Sequence, residues 1–319
     1  MAFIRQIDRQ LFQQALGNIG GFLRKVYYDY VQHGKALLTV RNNEVTVYYQ
    51  GNQLCQFQED KSFTDPTIYS KFLPLWSIIK DPQNSKNPHK YCTEGEWLEK
   101  TKIGTSYSFS DMLPEILGNI ERLRDGEAYQ MSHLYKFSPL CTNTSDIVLL
   151  DIEAAMAESG KSESDRIDVV LYHTIERQLI FVEVKRWADN RLQKGGTVQN
   201  DILVQMTKYY NALHASQKKK EIMDAYDHVI DFYNSLPVQE GTKRKLDTID
   251  REKELLLGLC IVEYTSDKQP KVTKLKKGIS SKECVCDNNM KWTIPVVSIG
   301  DTKNTTEKTL NALYDTFNN

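Results

Sequence analysis

The sequence predicts an α/β protein in which an N-terminal α+β module precedes a mixed β-sheet flanked by helices. Three observations lead to this prediction. Short apolar runs have strand-like composition, longer segments carry apolar residues at helical spacing, and the two alternate along the 319 residues. The chain is 40% apolar and 26% charged, which is enough apolar material for a buried core.

The predicted N-terminal module, residues 1–105, begins with a helix over Arg5–His33. Its apolar residues recur at helical spacing, although Gly20-Gly21 interrupts the run. A hairpin follows, because Ala36–Val40 and Val45–Tyr49 are strand-like and a short polar turn joins them. A loop-rich, proline-containing stretch then leads to the end of the module.

The second predicted domain, residues 106–319, opens with a helix over Phe109–Arg124 and then changes to strands. The predicted strands are apolar runs: Ile147–Ile152, Ile167–Tyr172, Leu179–Lys185, Leu255–Tyr264 and Thr293–Ile299. The further predicted helices are Val198–Ala215, Glu221–Leu236, Asp247–Glu254 and Thr305–Phe317. The first three strands fit an antiparallel meander, and the long helical crossover allows a later strand to pair parallel.

Composition narrows the functional classes. The 41 basic and 42 acidic side chains nearly cancel, so a nucleic-acid contact has to come from a local patch. No apolar run approaches the ~20 residues that cross a bilayer, and the N-terminus lacks the apolar segment of a secretory signal. The six cysteines include no C-x-x-C pair. They are expected to be free thiols in a reducing compartment, which predicts a cytoplasmic protein without a membrane partner.

Two acidic residues and one lysine are predicted to converge on neighbouring strands. A hairpin centred near Ile175-Glu176 would bring Asp168 opposite Glu183. Glu183 and Lys185 are two apart in one strand and therefore share a face. Such charges are costly to bury without a partner, and a divalent cation is a natural one. The two carboxylates and the carbonyl of Val184 would offer hard oxygen ligands to Mg²⁺, with Mn²⁺ as a substitute.

This trio suits phosphodiester hydrolysis, because a metal-bound water has a lowered pKa and a lysine can stabilise the developing charge. Arg186, Trp187, Arg191 and Lys194 follow the strand in a loop that could contact phosphates, with Trp187 stacking on a base. Glu153 ends the preceding strand and could approach Asp168 as a further metal ligand. A plainer interpretation stays open at each position, namely a solvated salt-bridging stripe for Glu183 and Lys185 and ordinary surface charges for Arg186 and Glu153.

The helix after these strands carries Gln205 and Tyr209, which are four apart and share one helical face. In this order, Ile167-Asp168, the run Phe181–Lys185 and the Gln205-x-x-x-Tyr209 helix resemble the PD-(D/E)XK nuclease superfamily. The resemblance is closest to its RecB-type branch, and it covers roughly residues 145–265.

The resemblance implies a restriction-endonuclease-like core with Asp168 and Glu183 as metal ligands and Lys185 as the catalytic lysine. It also implies that Gln205 and Tyr209 approach the active site and help to position the nucleic-acid backbone. For these two residues the alternative is an exposed glutamine and a tyrosine packed in the core.

The family often carries a glutamate on a helix before the first strand, and Glu115, Glu121 and Glu153 are the candidates in this chain. The first functional hypothesis is therefore a Mg²⁺-dependent nuclease that acts on DNA in defence or repair, as a homo-oligomer or with a partner ATPase. The second is a catalytically silent scaffold of the same fold that binds nucleic acid or a protein. A third is an α/β interaction protein in which the motifs coincide by chance.

Overall fold

Two five-stranded sheets organise the protein. The computed structural model describes residues 4–74, 91–102, 107–123, 126–155, 166–194, 197–238, 245–286 and 291–318. Within these ranges the predicted α/β class is confirmed. None of the helices in these ranges combines the length and the apolar character that crossing a bilayer requires.

The N-terminal helical region is broken rather than continuous. The predicted helix Arg5–His33 is divided into α1 (Arg9–Gly17), α2 (Phe22–Val26) and a π-helical turn at Tyr27–Val31. The break has a local cause, because both Asn18 after α1 and Gly21 before α2 adopt extended backbone angles. Glycine at this point lowers the stability of a continuous helix.

The first sheet is antiparallel throughout and confirms the predicted hairpin. Its strands, in spatial order, are β1 (Ala36–Arg41), β2 (Glu44–Tyr49), β3 (Asn52–Gln58), β4 (Thr67–Tyr69) and β5 (Tyr91–Thr93). Three helices follow: α3 (Glu94–Thr101), α4 (Phe109–Arg122) and α5 (Gly126–Ser132).

The second sheet contains the strands on which the predicted site residues lie. The next elements are β6 (Ile147–Ala155), β7 (Arg166–His173), β8 (Gln178–Arg186), β9 (Gln193–Lys194), β10 (Thr197–Val198), α6 (Asn200–His214), α7 (Ser216–Ser235) and β11 (Leu256–Val262). The chain ends with α8 (Gln269–Ser280), β12 (Glu283–Val285), β13 (Lys291–Thr293), β14 (Val296–Ile299) and α9 (Glu307–Asn318).

The strand order of this sheet is β14-β11-β8-β7-β6. Strands β6, β7 and β8 form the predicted antiparallel meander, and β11 pairs parallel to β8, as expected for a strand reached through a helical crossover. β8 is therefore central. Phe181 packs in the apolar cluster on one face, and Val182 and Val184 pack in the cluster on the other, as the alternation along a strand predicts.

The predicted helix Asp247–Glu254 is wrong, because this segment forms no helix. Its backbone is held by side chains of α7 instead. Asn234 exchanges two hydrogen bonds of 2.8 Å with the backbone of Leu246, and Asp227 Oδ1 accepts one of 2.8 Å from Ile249 N. These tertiary bonds satisfy polar groups that a helix would satisfy locally.

A buried charge cluster joins the two sheets. Asp151, on β6, is 1% exposed and receives Arg41 Nη1 at 2.6 Å and Arg5 Nη2 at 3.1 Å. Tyr226 Oη on α7 donates to the same carboxylate at 3.0 Å. One apolar cluster also contains residues from both sides of the predicted boundary near residue 105. We call the three charged residues and Tyr226 the Asp151 cluster.

Candidate active site

The register of the β7–β8 hairpin brings the predicted carboxylates together. Val169 and Val182 form the last pair of the ladder at this end, and Asp168 and Glu183 are the residues next to them on β7 and β8. Asp168 Oδ2 accepts a hydrogen bond of 2.7 Å from the backbone N–H of Val184, which ties this carboxylate to β8. The structure thus places Asp168 beside the strand that carries Glu183 and Lys185.

The ammonium group of Lys185 lies at the centre of this group. Its Nζ is 2.5 Å from Glu183 Oε1, 3.8 Å from Asp168 Oδ2 and 3.7 Å from Glu127 Oε2. It also donates to the carbonyl oxygen of Val184 at 3.1 Å. Three carboxylates and one carbonyl therefore face a single cation, and we call Glu127, Asp168, Glu183 and Lys185 the acidic cluster.

The acidic cluster is more open on the side of Asp168 and Glu127. The side chains of Glu183 and Lys185 are each 2% exposed, whereas those of Asp168 and Glu127 are each 19% exposed. Solvent, and any ligand, therefore reaches the cluster past the two more exposed carboxylates. Inside it, Glu183 Oε2 is buried and receives no hydrogen bond from a donor among the described residues, although the Glu183 and Asp168 side chains can hydrogen-bond to each other when one of them is protonated. An unsatisfied buried carboxylate oxygen is costly, and it indicates a position for a ligand.

Helix α6 brings both of its predicted residues to the cluster. Gln205 Nε2 donates to Glu183 Oε1 at 2.8 Å and to Tyr209 Oη at 2.9 Å. Tyr209 is 2% exposed and donates its own hydroxyl proton to the carbonyl oxygen of Arg166 at 2.7 Å. The ring of Tyr209 thus packs in the core, as in the alternative considered from the sequence, but Gln205 is bound to Glu183 and is not the exposed glutamine of that alternative.

Burial and mutual charge shift the ionisation of the cluster. Burial, followed by the charge of Asp168, raises the pKa of Glu183 to about 8. Burial likewise raises the pKa values of Asp168 and Glu127. Burial alone would lower the pKa of Lys185, but the nearby carboxylates outweigh it and the pKa is raised. Lys185 therefore stays a cation, while the carboxylates lack enough positive charge around them.

Glu127 is the residue that sequence reasoning missed. It lies in the first turn of α5, where Oε1 accepts from the backbone N–H of Arg186 at 3.2 Å and Oε2 faces Lys185. α5 has only 7 residues and little periodicity to mark it. The signal that could have found it is a glutamate on a helix ahead of the first strand of this sheet, which the family resemblance implies.

The three glutamates considered from the sequence lie elsewhere. Glu121 Oε1 accepts from Tyr49 Oη at 2.6 Å, and Glu115 is exposed on α4. Glu153 has a left-handed backbone (φ 51°), accepts from Tyr48 Oη at 3.2 Å and pairs with Arg166 at 3.6 Å. The described contacts of Glu153 are therefore with the first sheet and the start of β7, and they do not bring it to Lys185.

Arg186 is anchored at the edge of the site. Its backbone N–H binds Glu127, and its guanidinium pairs with Glu263 just after β11. The side chain is about a third exposed, at 35%. A phosphate contact by Arg186 would therefore compete with an existing ion pair.

The oxygen ligands available at the site are of the type that a divalent cation such as Mg²⁺ prefers. Asp168 and Glu183 supply hard oxygen atoms, and one of these oxygens is buried without a partner. Across the described ranges, however, no three His, Cys, Asp or Glu side chains are arranged to hold a metal ion by themselves. Mg²⁺ commonly binds through one or two carboxylates and completes its shell with water and substrate phosphate, so two protein carboxylates suffice.

Comparison with known proteins finds no relative of this chain. No family model, no curated protein and no solved structure matches the chain. The chemistry of the site therefore rests on its own residues and distances.

Proposed function

We propose that this protein is a Mg²⁺-dependent nuclease that hydrolyses phosphodiester bonds, with DNA as its substrate. The observation that carries the proposal is the acidic cluster itself: Lys185 lies within 4 Å of three carboxylates, and one oxygen of Glu183 is buried without a partner. A buried salt bridge is weak evidence for a purely stabilising role, and carboxylates with perturbed pKa values around one lysine indicate a functional site.

Asp168 and Glu183 would hold the cation, with the carbonyl oxygen of Val184 as a further donor. Mn²⁺ offers the same preference for oxygen ligands and would substitute. The chemistry that a bound Mg²⁺ supplies is a coordinated water of lowered pKa. The chain's own contribution is to place hard donors where one oxygen already lacks a partner.

The other residues of the site position and balance charge. Gln205 binds Glu183 through Oε1, which fixes the carboxylate and leaves Oε2 turned into the cluster. Tyr209 holds Gln205 in place from the core side. Lys185 is the cation that stabilises negative charge on the phosphate as water attacks, because its ammonium is fixed, buried and protonated.

A second candidate is the silent scaffold that binds nucleic acid or a protein without turnover. One observation favours it: Lys185 already contacts the carboxylates, which compensates part of their charge without a metal. When Glu183 is ionised, however, the three carboxylates carry more negative charge than the ammonium of Lys185 balances. A divalent cation removes that excess, and binding alone gives no reason for it.

The deciding experiment compares the parent protein with Lys185→Ala on single- and double-stranded DNA, with Mg²⁺, with Mn²⁺ and with EDTA. We expect metal-dependent cleavage by the parent and a loss of about a hundredfold or more in the variant, the usual effect of removing one transition-state donor. Lys253→Ala is the matched control, because Lys253 also pairs with a glutamate, Glu176 at 2.7 Å, but at the hairpin-turn end of β7 and β8.

Equal cleavage by the parent and the Lys185 variant would overturn the catalytic role. Binding of DNA without cleavage in either metal would favour the scaffold. Because Lys185→Ala leaves buried carboxylates unpaired, Glu183→Gln serves as a second variant of lower charge. Thermal unfolding of each variant shows whether the fold is retained.

A further inference from the structure

A second cation, Arg191, lies at the open side of the acidic cluster. Its Nη2 is 3.8 Å from Glu127 Oε2, the same oxygen that lies 3.7 Å from Lys185 Nζ. The Glu127 carboxylate is thus placed between one buried and one exposed cation. The Arg191 side chain is 56% exposed, whereas that of Lys185 is 2% exposed.

Asp189 holds the guanidinium of Arg191 from one side. Nη2 donates to Asp189 Oδ2 at 2.6 Å and Nε to Oδ1 at 3.1 Å, while the backbone N–H of Arg191 binds the same carboxylate at 2.7 Å. The turn that carries both residues is fixed as well, because Leu192, which follows Arg191, is fully buried and its N–H binds the carbonyl oxygen of Asp189 at 3.1 Å. The direction of the guanidinium is therefore set by two residues of a short, anchored loop.

The planar guanidinium has donors left over. Asp189 uses Nε and Nη2, and Nη1 donates to no other group within the part of the chain that the structure describes. Paired planar donors match two oxygens of a phosphate better than an ammonium does. Arg186 and Arg191 are each paired with a carboxylate, but the Arg191 side chain is the more exposed of the two, 56% against 35%, and is therefore the better placed for an incoming anion.

A polyanion that approaches the acidic cluster meets the exposed carboxylates first. Glu127 and Asp168 are the accessible members and would repel a phosphodiester backbone. An oriented cation at the same opening offsets this repulsion and gives the backbone a fixed point of attachment.

We infer that Arg191 binds a non-bridging oxygen of the nucleic-acid backbone at the mouth of the acidic cluster, and that Asp189 is the residue that positions it. This inference rests on the proposed nuclease function. It adds a backbone-binding residue that the sequence motif does not contain.

The test uses a fluorescently labelled DNA oligonucleotide, with anisotropy measured in EDTA over a range of salt concentrations and cleavage measured with Mg²⁺. Arg191→Gln should weaken binding about tenfold and reduce the slope of log K against log salt by about one, as expected for one lost phosphate contact. In the cleavage assay, KM should rise by a larger factor than kcat falls. Arg191→Lys should keep the salt slope but not the full affinity, because it retains the charge without the planar fork.

Arg177→Gln is the matched control. Arg177 is 42% exposed and pairs with Asp250 at 3.1 Å, but it lies at the hairpin-turn end of the strands that carry the site. It should leave both affinity and slope unchanged.

The Asp189→Asn variant distinguishes two explanations by the direction in which DNA binding changes. If charge alone mattered, loss of an acid would strengthen DNA binding; if Asp189 positions Arg191, binding weakens and KM rises while the salt slope is kept. Tighter binding by Asp189→Asn would overturn the positioning role, and parental binding by Arg191→Gln would overturn the inference as a whole. A parent protein that neither binds nor cleaves DNA would instead refute the proposed function.

Discussion

The affinity for Mg²⁺ should rise with pH, because binding has to displace a proton from Glu183. Burial and the charge of Asp168 raise the pKa of Glu183 to about 8, so near neutral pH this carboxyl group is largely protonated in the metal-free protein. A protonated carboxyl group does not ligate Mg²⁺. Well below its pKa, each unit of pH therefore lowers the affinity about tenfold. Half of the Glu183 carboxyl groups are already protonated at about pH 8, so the loss from about pH 8 to about pH 6 is about fiftyfold, or ~2.3 kcal/mol.

Isothermal titration calorimetry in two buffers of different ionisation enthalpy measures both the Mg²⁺ affinity and the number of protons released on binding. It should show about one proton released per Mg²⁺ well below the pKa of Glu183 and close to none above it. Glu183→Gln should abolish the proton release and most of the affinity. Asp250→Asn removes a carboxylate at the opposite end of the β7–β8 hairpin and should change neither.

The raised pKa of Glu183 also determines how the stability of the fold changes with pH. The folded protein favours neutral Glu183, so this group stabilises the fold fully below the ordinary pKa of 4.5, and the contribution is lost as the pH rises towards about 8. Added Mg²⁺ should therefore raise the unfolding temperature most at the high end of this window. A Mg²⁺ affinity that stays constant from about pH 6 to about pH 8, or proton uptake on binding, would refute the reasoning.

Two further substitutions test the site and the packing around it. Glu127→Gln removes a carboxylate 3.7 Å from Lys185 Nζ. It should reduce metal affinity or cleavage about 10- to 100-fold, as loss of an outer partner of a metal site usually does, while thermal unfolding stays cooperative. Activity equal to that of the parent would show that Glu127 has no part in the site. Gly258→Ala on β11 would place a Cβ atom 2.1 Å from Phe317 Cζ, so denaturant unfolding should show a loss of about 1–3 kcal/mol, and Phe317→Leu in the same chain should recover part of it.

The hairpin at the centre of the site could be predicted because its rules are local. Side chains alternate along a strand, and a short turn sets the register, so the spacing of Asp168, Glu183 and Lys185 was enough to place them together. The four-residue spacing of Gln205 and Tyr209 likewise fixed their shared helical face.

The rest of the site depends on contacts between distant segments. Glu127 is 58 residues before Lys185 along the numbering and meets it only because α5 packs on β8. The segment Asp247–Glu254 failed as a helix for the same kind of reason, since Asp227 and its neighbours on α7 bind its backbone. Local propensity carries no information on such partners.

The Asp151 cluster has a consequence for dissecting the molecule. Arg5 and Arg41 come from the amino-terminal third of the chain, and both neutralise a carboxylate buried inside the sheet that carries the acidic cluster. A fragment that starts after residue 105 would retain Asp151 without either guanidinium, and losing the partners of a buried charge typically costs about 3–5 kcal/mol. Fragments designed for crystallisation or for activity assays should therefore begin ahead of Arg5.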